Sequence, residues 1–164
     1  MASAKAEFPE GVADHGAFQR KFWAAQRIAW IVFGLILVGC LFGAFGRGGY
    51  LSRSVTDTEN GLVDFPAITR WNAPDDLEVT FAPSQSDRVF FVDARFFDTF
   101  SVEGVDPPQK ATMVRDGLTG YVFASDPIKP TRITFRLQTQ MPGLRTASFG
   151  AEGSVAEHKI FVFP

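Results

Sequence analysis

Two rhythms of apolar residues divide the chain. From Ile28 to Gly46 nineteen residues, IAWIVFGLILVGCLFGAFG, pass without a charge. As a helix rising ~1.5 Å per residue, this run covers roughly 28 Å, close to the hydrocarbon thickness of a bilayer. The preceding stretch, GAFQRKFWAAQR (16–27), extends the same helix, with Phe18 and Phe22 on one face. Residues 1–15 read as a flexible tail, 16–46 as an interfacial and transmembrane helix, and 47–60, polar and glycine-rich, as a linker.

Beyond residue 60 the period changes to two. Leu77, Val79 and Phe81 alternate with Glu78 and Thr80; Ile133, Phe135 and Leu137 alternate with Arg132, Thr134 and Arg136. In RVFFVDARF, Phe90, Val92, Ala94 and Phe96 share one side, while Arg88, Phe91, Asp93 and Arg95 fall on the polar side. Shorter strands are expected at 62–65, 101–105, 118–124, 144–149 and 159–163, with a brief helical turn in ARFFDTF (94–100). Turn formers such as NAPDD, VDPP, RDG and MPG separate these runs. The expected fold is one N-terminal transmembrane α-helix followed by an all-β, immunoglobulin-like β-sandwich over 61–164.

The apolar run admits two readings. Leu37-Val38-Gly39-Cys40 fits the bacterial lipobox, in which the cysteine is lipidated and the preceding residues are removed. Against this, Cys40 stands far into the chain for a signal of about 15–30 residues. LFGAFG also prolongs the apolar helix where a tethered lipoprotein has a polar spacer. An uncleaved span is the preferred reading. Gly39 and Gly43 form a G-xxx-G pair that Gly46 continues, and with Val32 and Ile36 they define a helix-packing face. Arg20, Lys21, Trp23, Arg27 and Trp30 before the run, and Arg47 after it, are the expected membrane-interface residues.

Charge divides the chain in the same way. Residues 1–54 hold 6 Lys+Arg against 3 Asp+Glu, and residues 55–164 hold 10 against 15, a net of +3 and of −5. An acidic domain is poor material for neutralising phosphates, so nucleic acid is excluded as a partner. The basic residues ahead of the run orient the N-terminus to the cytoplasm and the acidic domain to the periplasm of a bacterial inner membrane.

The chemistry-bearing residues are sparse. Cys40 is the single cysteine, and His15 and His158 are the only histidines, the latter expected as an ordinary exposed side chain. Met113, Met141 and His158 lie in separate segments, a poor donor set for copper. Asp75-Asp76 lacks the spacing of a calcium loop and reads as solvated surface. No catalytic residue, cofactor or metal is expected, and no small-molecule substrate is evident. Phe91, Phe97 and Phe100 are the candidates for an exposed apolar patch facing a partner, with closure of one end of the core as the alternative.

The segments AFQRKFWAAQRIAWIVFGLILVGCLFGAFGRGGYLS and RWNAPDDLEVTF, with a terminal FVFP, resemble a group of small single-pass bacterial inner-membrane proteins. These have a Q-R-I-x-W entry to the membrane, a glycine-rich exit and a periplasmic β-rich domain. The resemblance implies topology and fold and carries no catalytic residues. The function expected is that of a non-catalytic accessory subunit that stabilises or organises an integral membrane protein complex in the lipid bilayer. Respiratory and photosynthetic assemblies are the hosts considered. The alternative is a periplasmic binding or assembly-factor module, membrane- or lipid-anchored, acting transiently.

Overall fold

A computed structural model describes residues 16–42, 49 and 51–164. The chain divides near residue 38 into an N-terminal unit and a unit that begins at Gly39. The first is dominated by a single helix, α1 (Gly16–Leu41), of 26 residues. It is one long apolar helix near the N-terminus, and Phe18–Leu41 is long and apolar enough to cross a membrane. Its large apolar side chains are exposed all round, from Phe18 and Trp23 to Ile36 and Leu41.

The second unit is rich in strands, arranged in two sheets. One holds β1 (Arg53–Thr58), β2 (Gly61–Pro66), β4 (Pro74–Phe81), β9 (Thr131–Thr139) and β6 (Phe100–Asp106), in the order β1-β2-β4-β9-β6. The other holds β3 (Ile68–Arg70), β11 (Ala156–Phe163), β10 (Gly143–Ala151), β5 (Arg88–Val92), β8 (Leu118–Phe123) and β7 (Ala111–Arg115), in the order β3-β11-β10-β5-β8-β7. All pairings are antiparallel except that of β3 with β11.

The inward positions of the two sheets meet in one core. Leu77, Val79 and Phe81 of β4 and Ile133, Phe135 and Leu137 of β9 are buried on one side. Phe90 and Val92 of β5, Phe149 of β10 and Ile160 and Val162 of β11 are buried on the other. Aromatic rings tie the layers together: Phe135 packs against Phe90 at 5.2 Å, Tyr121 at 5.4 Å and Phe123 at 5.9 Å between centroids. Such tilted and edge-on pairs add to the area term because ring edges and faces carry opposite partial charge.

Several expectations are corrected here. The linker expected to run to residue 60 contains β1, paired along its whole length with β2. Arg53 holds that edge, donating from Nε to Asp64 Oδ1 (2.8 Å) and from Nη2 to the carbonyl of Asp76 (3.1 Å). Strands β3 and β7 were not expected either. The helical turn is α2 (Ala94–Thr99), capped by Asp93, whose Oδ1 accepts from the Phe96 N–H at 2.9 Å. It turns Phe96 and Phe100, four residues apart, into the core.

Phe135 gives the direct test of this core. The Phe135→Ala variant is expected to lose about 3–5 kcal/mol of stability, the cost of an unfilled aromatic site. Chemical denaturation of the detergent-solubilised chain, followed by circular dichroism, reads the loss.

Candidate functional site

The helix residues singled out from the sequence are placed as follows. Val32, Ile36 and Gly39 lie on α1 at spacings of four and three, so they share a face. Gly43, Gly46 and Arg47 lie outside the described residues. Arg20, Lys21, Trp23, Arg27 and Trp30 are all exposed on α1, and the Arg27 guanidinium sits 4.9 Å over the Trp23 ring. Cys40 is a free, exposed thiol near the end of the helix.

The three phenylalanines do not form one exposed patch. Phe100 is fully buried, against Phe96, and Phe97 alone is open, at 39% exposure. Phe91 is buried at 5% although it points to the outer face of its sheet. The cause is its neighbours. In register it stands between Gly150 of β10 and Gly120 of β8, neither of which has a side chain there. A Cβ on Gly120 would come within 2.7 Å of the Phe91 ring, so the ring occupies the space that the glycine leaves. Pairing an aromatic ring with strand glycines in this way covers backbone that would otherwise be bare.

Over Phe91 lies an open cleft of about 280 Å³, walled by Leu118 and Val155 and rimmed by Arg115, Asp116 and Glu152. Arg115 bridges the rim, with Nη1 3.2 Å from Glu152 Oε1 and Nε 3.7 Å from Asp116 Oδ2. These ion pairs are exposed and each is worth about 0–1 kcal/mol. The cleft thus offers an apolar floor and a mixed-charge rim. Sequence alternation assigned Phe91 to the polar side, and the available signal was the pair of strand glycines at 120 and 150.

His158 is a further correction. It faces the interior, stacked on Phe149 at 4.3 Å and 4.6 Å from the Phe65 ring centroid. Burial pushes its pKa below the ordinary 6.5, while the Phe149 carbonyl, 3.3 Å from Nε2, acts in the opposite direction. The domain's one histidine is engaged in packing.

The acidic candidates are engaged too. Asp75 lies 3.7 Å from Arg53 Nη1. Asp126 accepts from the backbone N–H groups of Ile128 (2.7 Å) and Lys129 (3.0 Å), which lower its pKa and staple the loop between β8 and β9. Among the described residues no three His, Cys, Asp or Glu side chains converge as a metal site. Met113 lies on β7, and Met141 precedes β10, three strands away in that sheet. Comparison with protein-family models and with curated proteins finds no match to this chain.

The half-buried imidazole sets a pH dependence. Above 6.5 the ring is neutral in both states and the packing is intact. As pH falls below that value the unfolded chain takes up a proton more readily than the folded one, so stability declines. The melting temperature is expected to drop between about pH 7.5 and pH 5, and His158→Phe is expected to shrink the drop. Thermal melts of both proteins across that range check this.

Proposed function

We propose that the protein is a non-catalytic, single-pass subunit that stabilises or organises a larger bacterial inner-membrane complex. Its N-terminus is cytoplasmic and its β-domain periplasmic. The basic residues Arg20, Lys21 and Arg27 ahead of the apolar helix support that orientation. The face of Val32, Ile36 and Gly39 is the surface offered inside the bilayer. The two-sheet domain is read as immunoglobulin-like. Its support is the antiparallel β4/β9 pair on one sheet, the β11-β10-β5 set on the other, and β3 running parallel to the last strand.

The observation that carries this reading is strand β7. All five of its residues are exposed, and it closes one edge of its sheet. The other edges are blunted: β3 has three residues, β6 breaks register between Val102 and Gly104, and β1 carries Arg53 and Asp57. Such devices discourage strand addition, and the interior of β7, Thr112-Met113-Val114, has none of them. A two-residue turn, with Asp116 at φ 54° and Gly117 at φ 79°, joins β7 to β8. That turn makes Arg115 and Leu118 a hydrogen-bonded pair, so the N–H and C=O groups of Thr112 and Val114 point outward. An extended segment of a partner can add there as a further strand. The cleft over Phe91, on the same sheet, favours a second reading, a transiently acting periplasmic binding module.

Extraction in mild detergent, then a native gel with intact-mass analysis of the band, separates these readings. The subunit reading expects one large stable complex containing the chain at its unprocessed mass, give or take the initiator methionine. A chain running alone contradicts it, and a diacylglyceryl group on Cys40 identifies a lipoprotein. Val114→Pro removes an outward N–H without taking a bond from β8, so it is expected to weaken the complex while leaving the domain's melting temperature nearly unchanged.

A further inference from the structure

The open edge strand β7 is complementary to itself. In an antiparallel pair, residues that exchange two hydrogen bonds alternate with residues that exchange none. The outward N–H and C=O groups of β7 are those of Thr112 and Val114, placed symmetrically about Met113, the middle of its five residues. A second copy of the strand, turned by a two-fold axis at Met113, sets Thr112 of each copy against Val114 of the other. Every outward backbone group of these two residues then has a partner. A shift of one residue sets outward groups against inward ones, and a shift of two leaves two residues of each strand unpaired.

The side chains suit that register. Thr112 is in register with Tyr121 and Phe90, and Val114 with Thr119 and Val92, so both point to the side of the sheet that faces the core. Both are nevertheless exposed, Val114 at 76%. The facing sheet therefore does not reach under β7, which leaves room beside it for another strand. In the two-fold register the two become cross-strand Thr–Val pairs, β-branched neighbours of the kind that stabilise sheets. On the outer face Met113 lies over Gly120, where an added Cβ would come within 3.0 Å of its Cγ. Its flexible thioether, 40% exposed, can pack against its own image.

Charge is arranged in the same sense. Before the strand stands Lys110, 2.7 Å from Asp87, a neutral pair. At the other end Arg115 meets Glu152 at 3.2 Å and Asp116 at 3.7 Å, one positive charge against two negative, a net of −1. The two-fold brings the neutral end of each copy, with its lysine, to the acidic end of the other. Arg115, the one charged residue of β7, falls opposite Ala111, so no like charges are paired across the strands.

We propose that the strand added at β7 is β7 of a second copy of this chain, in the register that pairs Thr112 with Val114. It joins two six-stranded sheets into one across a two-fold axis. The inference rests on the reading of β7 as the open edge and names its occupant. One pair of short strands buries less than the ~1,000 Å² of an independently stable dimer, so covalent trapping is the suitable measurement.

Met113 stands at the axis in a pair without hydrogen bonds, where Cα atoms approach to about 4.5 Å, within reach of a disulfide. Cys40→Ser removes the only native thiol. In membranes holding the full chain with Cys40→Ser and Met113→Cys, mild oxidation is expected to give a disulfide-linked species of twice the chain mass. Ala111→Cys and Arg115→Cys, in the same background, are expected to cross-link when co-expressed and far less when either is alone. Adding Val114→Pro is expected to abolish the Met113→Cys species. The proposal is overturned if Met113→Cys cross-links no faster than Ile128→Cys in the loop between β8 and β9, or cross-links to a chain of different mass. A large complex on the native gel would then leave the subunit reading standing and give β7 to another protein. A chain that runs alone and uncross-linked removes both.

Discussion

The constraint on which the rest depends is the desolvation of α1. Its large apolar side chains point outward on every side, and each is worth about 1.5–3 kcal/mol if removed from water. Only a solvent without water, or another protein, removes that exposure. A helix of 26 residues spans about 39 Å, more than the hydrocarbon layer alone. Placed across a bilayer, such a helix would bring its first turns, where Arg20, Lys21, Trp23 and Arg27 sit, to the interface on one side. In the proposed reading these side chains divide the chain between membrane and water.

The β-domain solves its own burial problem with phenylalanine. Rings at 65, 81, 90, 96, 100, 123, 135 and 149 fill the space between two sheets. His158 is drawn into this layer as an aromatic plane, which is why its basicity falls. Two surface features stand apart from this core: the β7 edge and the cleft over Phe91. In the proposed subunit role, each such face can meet a different part of the surroundings.

The long periodic elements were legible from sequence. The alternation in 77–81 and 131–137 placed the centres of β4 and β9 correctly, because burial on one face imposes period two on the residues themselves. Strand β1 was hidden because RSVTDT buries little and is held by pairing and by Arg53. Strand β3 has only three residues, and β7 is exposed throughout, so neither leaves a burial pattern to read. The DG turn after β7 was visible, but a turn alone does not announce the strand before it. Phe91 and Phe100 were misjudged for another reason: glycine neighbours and a helical turn, both properties of the third dimension, decide which way those rings are covered.

Labelling with a membrane-impermeant maleimide tests the central claim most directly. Ile128 lies in the exposed loop between β8 and β9, and Cys40 is the only native thiol. In intact cells with a permeabilised outer membrane, Ile128→Cys should be labelled while Cys40 stays unreactive in lipid. Labelling of Ile128→Cys only after lysis would put the domain in the cytoplasm. Ready labelling of Cys40 would mean that α1 does not span the bilayer.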